Sequence, residues 1–340
     1  LRSRKRRRVV FRVYMCMPFF KGGLHMINMV VYGLGKISRR VCNGCLGAKH
    51  MNLYGFVSRD LNKATTYKEE YHAKKAYASI KDVYEDENVD VIYLCTPNYL
   101  HYEQIKEALE NKKSVICEKP MVLESFQLDK LFELAKRNKV FLMEAHKTAF
   151  NPLLVKVKEM IQEGAIGDIY YIDAEYSHNI LNDDPNFEQW VFGQSGGASR
   201  DIGVYPACFS NYFAQSDIVS HYIVKSGYKD LPCDFFFQSL LEYENGIKAS
   251  IKSSWLYDKD HKGTGYIYGT KGYFKIPAYW KEKEAFLIQG DKTTKIMVDF
   301  YSDFTSEIEH AAKCIESNCI ESNIMSLHAS KEILKAIGQH

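Results

Sequence analysis

No apolar run in the 340 residues approaches the roughly 18 that would suggest a membrane-spanning helix, so no membrane partner is expected. Disulfide framing is equally absent. Nine cysteines, an odd number, are scattered along a long chain, which argues for a reducing compartment and a cytoplasmic location. Cys42 and Cys45 form a C-x-x-C inside the first expected helix, but no second Cys or His pair at zinc spacing accompanies them. They read as ordinary thiols, with a redox pair as the alternative, and no metal is expected. There are no internal repeats, and no low-complexity segment occurs outside the first 25 residues.

An excess of positive charge is also missing from the body of the chain. The net charge of +3 comes from residues 1–25, which hold Arg2, Arg4, Lys5, Arg6, Arg7, Arg8, Arg12 and Lys21 and no acid. Taking those eight from the 45 basic residues leaves 37 against 42 acidic ones, a net of −5. Nothing in that balance points to nucleic acid. The leader Leu1–His25 reads as upstream read-through or a disordered tail outside the fold. An export signal and a basic nucleic-acid tail are the alternatives.

What remains is an ordinary globular composition, 46% hydrophobic and 26% charged, long enough for two domains. From Met26 the pattern alternates. Strands are expected at Ile27–Tyr32, Leu53–Ser58, Val89–Thr96, Ser114–Glu118 and Val140–Ala145. Helices are expected after the first glycines through Lys49, and at Leu61–Ala73, Leu100–Glu110 and Leu123–Arg137. Strands alternating with helices make βαβ units and a Rossmann-type parallel sheet.

The second half changes texture. Ile169–Ser177 alternates, and Phe235–Glu244 and Ile247–Trp255 flank Asn245-Gly246, a hairpin-turn pair. Turns at Thr270-Lys271 and Gly290-Asp291 separate further short strands, Gly265–Tyr268 from Gly272–Ile276 and Ala285–Gln289 from Thr294–Val298. Helices over Ser302–Glu316 and Ser326–Ile337 close the chain. The expected class is α/β, a Rossmann-type domain at 26–148 followed at 149–340 by an α+β domain with a large, mostly antiparallel open sheet. A break is expected at Asn151-Pro152.

Five motifs carry chemistry. Gly33-Leu34-Gly35-Lys36-Ile37-Ser38 follows the first strand as a dinucleotide fingerprint. Gly33 permits the tight turn, Gly35 lets backbone approach a pyrophosphate at a helix N-terminus, and Ser38 is small enough for close helix–strand packing. The second strand ends in Ser58-Arg59 where an acid would hold ribose hydroxyls, and these residues suit a 2′-phosphate. Asp60 is a displaced ribose ligand or an N-cap. Thr96, Pro97, Asn98 and His101 sit at the C-terminal end of a parallel strand, where open α/β sheets bind ligands. Glu118-Lys119-Pro120 ends the next strand at the same crevice. In Ser195–Pro206, two glycines permit close backbone approach. A helix beginning near Asp201 would set Asp201 and Tyr205 on one face, an acid and a phenol able to move a proton at a carbonyl oxygen.

These motifs, in this order, resemble the Gfo/Idh/MocA oxidoreductases, the glucose–fructose oxidoreductase and inositol dehydrogenase type, from about Met26 to Ile337. Glu307-Ile308-Glu309-His310 and Ser326-Leu327 match the usual ending. Ser58-Arg59, Met143-Glu144-Ala145 and Tyr205 are similar to the branch with dimeric dihydrodiol dehydrogenase and NADP-linked D-xylose dehydrogenases. The resemblance implies an NAD(P)-dependent oxidoreductase acting on a sugar or polyol, with NADP favoured over NAD and with assembly through the second sheet. It implies Lys119, Asp201 and Tyr205 as the catalytic set, Lys119 lowering the Tyr205 pKa. Gly33, Leu34, Gly35, Lys36, Ile37, Ser58, Arg59, Thr96, Pro97, Asn98, His101, Glu118 and Lys119 would hold the cofactor. A dinucleotide-binding regulator on the same fold is the rival, and the complete catalytic set disfavours it. The polar and aromatic stretch Tyr176–Gln194, with His178, Asn179, Asn182, Asp183, Asp184 and Trp190, suits a polyhydroxylated ligand.

Overall fold

The computed structural model describes residues 26–183, 196–258 and 262–339. The leader, Asp184, Trp190 and Ser195 lie outside the described residues. In the first half, β1 (Ile27–Tyr32), β2 (Met51–Val57), β3 (Lys75–Tyr77), β4 (Val91–Leu94), β5 (Ser114–Glu118) and β6 (Leu142–Ala145) form one sheet in the order 3-2-1-4-5-6. Every pairing in it is parallel. Helices α1 (Lys36–Leu46), α2 (Leu61–Glu70), α3 (Ile80–Glu85), α4 (His101–Glu110) and α5 (Ser125–Asn138) connect the strands. β4 and β5 are buried at every position, as their continuous apolar runs require of strands covered on both faces. Strand order reverses between β1 and β4, which opens a crevice at their C-terminal ends.

The second sheet holds β7 (Ile169–Ser177), β8 (Ile218–Ser226), β9 (Phe236–Tyr243), β10 (Lys248–Ser254), β11 (Thr264–Gly269), β12 (Gly272–Pro277), β13 (Glu284–Gln289) and β14 (Lys292–Met297). Its order is 14-13-12-11-7-10-9-8. The β7–β10 pair is parallel and the other pairs are antiparallel. Buried and exposed positions alternate along β9, as expected of a sheet with one covered face. The other face carries exposed Tyr170, Tyr222, Val224, Leu240 and Met297.

Asn151-Pro152 opens a helix. Asn151 Oδ1 accepts from the Leu153 N–H at 2.8 Å and caps α6 (Pro152–Gln162), with Pro152 in the first turn, where its missing N–H costs nothing. The sequence reading did not mark β3, α3 or β8, and α7 (Val204–Ala214) begins three residues beyond the start considered near Asp201. α7 packs against β7, β10 and β11 and is buried at eight of its eleven positions, so no polar face marks its period. β8 is an edge strand, exposed along most of its length.

The division at residue 148 is incomplete, because the chain returns. Helix α8 (Thr305–Glu316) packs on α1, and Thr305 Oγ1 donates to the Gly44 carbonyl at 3.0 Å. Leu142 N on β6 donates to Ile320 O at 2.9 Å. Helix α9 (Leu327–Ala336) then packs against both α5 and α7. One hydrophobic core accordingly runs from Ile27 to Ile337 through both sheets. Cys42 and Cys45 belong to it as free thiols, and burial pushes the Cys42 pKa up to about 12.

The α1–α8 seam is close. A Cβ on Gly44 would lie 2.5 Å from the Phe304 Cβ and 3.1 Å from its backbone carbon. Gly44→Ala gains helix propensity but overpacks this seam, so it should destabilise the protein by about 1–3 kcal/mol. A higher midpoint of urea unfolding in the variant would show that the seam yields.

Candidate active site and dinucleotide cleft

The glycine loop fits a bound pyrophosphate. Gly33 has φ +96°, and a Cβ there would lie 2.7 Å from the Cys95 carbonyl carbon and the Thr96 nitrogen. Only glycine lets β1 turn this tightly against the end of β4. Above Gly35 no described residue lies within 4 Å of an added Cβ. Ser38 is buried and performs a task that a third glycine could not. Its hydroxyl accepts from Gly35 N at 2.9 Å and donates to Gly35 O at 2.8 Å. Tyr67 on α2 adds a bond to the same carbonyl at 3.3 Å. Leu34 is buried and Ile37 half-buried, and both anchor the loop from below.

Beside this loop lies a cleft of about 360 Å³ lined by Leu34, Gly35, Lys36, Arg39, Lys63, Thr66 and Tyr67. Its cations Arg39 and Lys63 escaped the sequence reading, although Lys36 did not. Arg39 lies over the Tyr67 ring, 4.7 Å from its centroid, and pairs with Glu70. Arg59 is exposed at the end of β2, and Ser58 Oγ accepts from Asp60 N at 3.2 Å. Asp60 is the N-cap of α2, accepting from Asn62 N and Lys63 N, and its carboxylate is thereby engaged.

Two expected cofactor residues turn inward instead. His101 is buried, with Nδ1 3.0 Å from Pro120 O and Nε2 2.8 Å from Thr96 O. It ties the β4 and β5 loops together, and burial holds its pKa down. Glu118 is buried and accepts from the Tyr93 hydroxyl at 3.1 Å. Thr96 Oγ1 donates to Gln104 at 2.5 Å, and Pro97 and Asn98 form the exposed rim where a short 3₁₀ turn begins.

Lys119, Asp201 and Tyr205 come together across the two domains. From the end of β5, Lys119 Nζ donates to the Asp201 carbonyl at 2.5 Å and to its carboxylate at 3.2 Å. The same ammonium lies over the Tyr205 ring, 4.7 Å from its centroid. Asp201 and Tyr205 do not share a helix. Asp201 ends a single turn, Ala198–Asp201, and the chain re-enters helix only at Val204. Gly197 and Gly203 serve the fold here. A Cβ on Gly197, at φ +128°, would meet Asp234 Oδ1 at 2.5 Å, and one on Gly203 would meet Ser199 O at 2.6 Å. Asp234 was invisible to motif reading, yet it fixes this turn by accepting from Ser199 N at 2.7 Å and from Ser199 Oγ at 2.9 Å.

The surroundings raise the Tyr205 pKa well above the ordinary phenol value, where a lowering by Lys119 was expected. Burial is the first cause, followed by the Glu118 and Asp201 carboxylates. An aromatic wall stands beside the phenol. Tyr176 meets its ring edge-on at 5.2 Å and stacks on Trp280 at 3.9 Å, with His178 5.7 Å beyond Tyr176. Tyr176 and His178 were among the expected pocket residues. Trp280, in the turn after β12, was not, because nothing local distinguishes it from a core tryptophan.

The model of an "Oxidoreductase family, NAD-binding Rossmann fold", Gfo/Idh/MocA, matches residues 27–146. The model of the Gfo/Idh/MocA C-terminal domain matches residues 154–275. A trans-1,2-dihydrobenzene-1,2-diol dehydrogenase from Xenopus tropicalis is 29% identical over 315 residues, covering 89% of this chain and 93% of that protein. A D-xylose 1-dehydrogenase (NADP(+)) from Hypocrea jecorina is 37% identical over 139 residues, 39% of this chain and 36% of that protein. Among solved structures, an aldose-aldose oxidoreductase from Caulobacter crescentus, complexed with glycerol, superposes with a TM-score of 0.82 at 21% identity. The match covers 92% of this chain and 96% of that one.

Proposed function

This chain belongs to the Gfo/Idh/MocA oxidoreductase family, and from that premise we propose that it transfers a hydride between the nicotinamide of NADP(H) and a carbinol or carbonyl carbon of a sugar or polyol. The observation that carries this reading is the meeting of Lys119, Asp201 and Tyr205, one from the first domain and two from the second. The bound cofactor supplies the hydride acceptor or donor. The protein supplies position and proton. Gly33, Gly35 and the N-terminus of α1 take the pyrophosphate, while Lys36, Thr96, Pro97 and Asn98 border it. Tyr205, whose surroundings keep its proton on, donates to the oxygen of a carbonyl as that oxygen gains negative charge. Lys119 places its ammonium beside that oxygen, and Asp201 fixes the lysine through two acceptors. The stacked pair Tyr176–Trp280 gives an apolar wall to the C–H face of a sugar ring, next to polar groups for its hydroxyls.

A panel of aldoses and polyols, followed by absorbance of the reduced cofactor with NAD and NADP in parallel, tests the substrate class. On the substrate turned over best, Lys119→Met and Tyr205→Phe should each lower kcat by about 100-fold or more. The double variant should be little worse than the poorer single, because the two act as a unit. Cofactor affinity should stay nearly constant in all three. Wild-type turnover in Tyr205→Phe would remove the mechanism.

NADP is favoured because Lys63 and Arg39 line the cleft beside the glycine loop and Arg59 stands exposed just past β2, while Asp60 is occupied as a cap. Arg59→Ala should weaken NADP binding by about 1.5–3 kcal/mol, the worth of a hydrogen bond to a charged group, and leave NAD binding unchanged. Equal losses for the two cofactors would reject this assignment.

The exposed apolar face of the second sheet, with Tyr222 69% and Leu240 50% exposed, supports a homodimer built through that face. Leu240→Lys, on β9 within this face, should shift sedimentation toward the monomer. A wild-type protein that sediments as a monomer at micromolar concentration would reject the dimer.

A further inference from the structure

Behind the candidate catalytic residues lies a buried acid pair that the mechanism above does not use. Tyr93 on β4 is fully buried, and its hydroxyl is 3.1 Å from Glu118 Oε1 on β5 and 3.1 Å from Glu307 Oε1 on α8. A phenol has one proton to donate, so it satisfies one of these two carboxylates and not both. Glu307 is wholly buried, and its second oxygen, Oε2, has no hydrogen-bond partner among the described residues. Two ionised carboxylates flanking one hydroxyl, one with an orphaned oxygen, would be costly in a buried site. Sharing a proton relieves that cost.

The neighbouring charges do not neutralise the pair. Lys119, Lys147 and His146 face Glu118, while Lys147 and His146 face Glu307; Cys95 is the remaining titratable neighbour of Tyr93. Lys147 is paired with Asp303, which also accepts from Arg40 at 2.6 Å. Lys119 is engaged with Asp201. His146 lies 3.6 Å from Glu144, whose carboxylate also accepts from Met121 N at 2.9 Å. Burial raises the pKa of both acids, and Glu118 raises that of Glu307 further.

We propose that Glu118, Tyr93 and Glu307 form a proton-sharing triad next to Lys119, with Glu307 and Tyr93 acting as positioning residues that set, through Glu118, how firmly Tyr205 holds its proton. Glu118 is the link, being bonded to Tyr93 and directly preceding Lys119, whose ammonium lies 4.7 Å from the centroid of the Tyr205 ring. With one proton in the pair, a single negative charge lies next to Lys119. As pH rises and that proton leaves, a second negative charge appears, the phenol keeps its proton more strongly, and carbonyl reduction slows. The functional half of this inference rests on Tyr205 as the acid of the reaction. The shared proton itself does not.

Two measurements on the full chain decide it. The infrared spectrum of the wild-type protein at neutral pH should contain the C=O stretch of a buried carboxylic acid. That band should vanish in both Glu118→Gln and Glu307→Gln and shift in Tyr93→Phe. Its absence from the wild-type protein, or its survival in both Gln variants, overturns the proposal. The second measurement is the pH profile of kcat for carbonyl reduction, with the ketone or aldehyde formed from the best substrate of the panel. The alkaline fall of the wild-type profile should disappear in Glu307→Gln, and should move by about one pH unit or more in Tyr93→Phe, while KM for cofactor is unchanged. A merely structural role would lower stability and leave the profile in place, which also overturns the proposal. If Glu307→Gln fails to fold, Tyr93→Phe, which keeps the ring and removes the hydroxyl, carries both readouts. An acid band behaving as expected alongside full turnover in Tyr205→Phe rejects the catalytic assignment and the coupling to it, and leaves the shared proton standing.

Discussion

The contact between the Lys119 ammonium and Asp201 is the point on which the rest of the site depends. Lys119 stands at the end of a strand buried on both faces, where its backbone has no freedom to drift. Asp201 stands on a single helical turn that would be unstable alone, so it needs external fixing. Asp234 holds the start of that turn through Ser199, and Lys119 holds its end through the Asp201 carbonyl. The ammonium thus ties two domains and fastens a loop at the same time. A surface ion pair would contribute little, but this lysine is largely shielded and bonds a backbone carbonyl as well as a carboxylate, so its position is fixed by geometry and not by charge alone.

Around that contact the interior is unusually polar for a place so well packed. Tyr93, Glu118, Glu144, His146, Lys147 and Glu307 all lie inside, between the first sheet and the helices of the C-terminal segment. Burying ionisable groups costs stability unless they are paired and hydrogen-bonded. Two neighbours illustrate the range. Lys147 loses proton affinity, to a pKa of about 8, because burial and Arg40 outweigh Asp303, whereas the Glu144 carboxyl stays below its ordinary value despite full burial, because His146, Ser330 and the Met121 N–H stabilise its charge. Proteins tolerate such arrangements chiefly where chemistry uses them.

The alternation of strands and helices made the first sheet legible from sequence, and the turn pairs Asn245-Gly246 and Gly290-Asp291 gave the hairpins of the second. The glycine loop, Lys119 and the Asp201–Tyr205 segment were legible because each places a particular residue type at a strand end or a turn. What stayed hidden had no local signature. α7 is apolar all round, so it lacks the period that marks a surface helix. Pro152 looked like a stop because it opens a helix as readily as it ends one. Glu118 sits at a strand end and His101 at the start of α4, both beside the crevice, yet their side chains turn toward the core, a choice made by tertiary partners such as Tyr93 and the Pro120 carbonyl. Asp234 and Trp280 join the site only through long-range contacts that no short window contains.

The return of the chain through α8 has a consequence for how the protein is made. The helix that follows the glycine loop is synthesised well before the surface that covers it, Phe304 and Ile308, because 261 positions separate Gly44 from Thr305. Until then, the buried side of α1 and the outer edge of β6 lack their final partners. The dinucleotide half therefore cannot reach its full packing as an independent N-terminal unit during translation. Its completion waits on contacts more than 250 residues apart in sequence, such as Gly44 with Thr305, which makes late, long-range closure part of assembling the nucleotide-binding half.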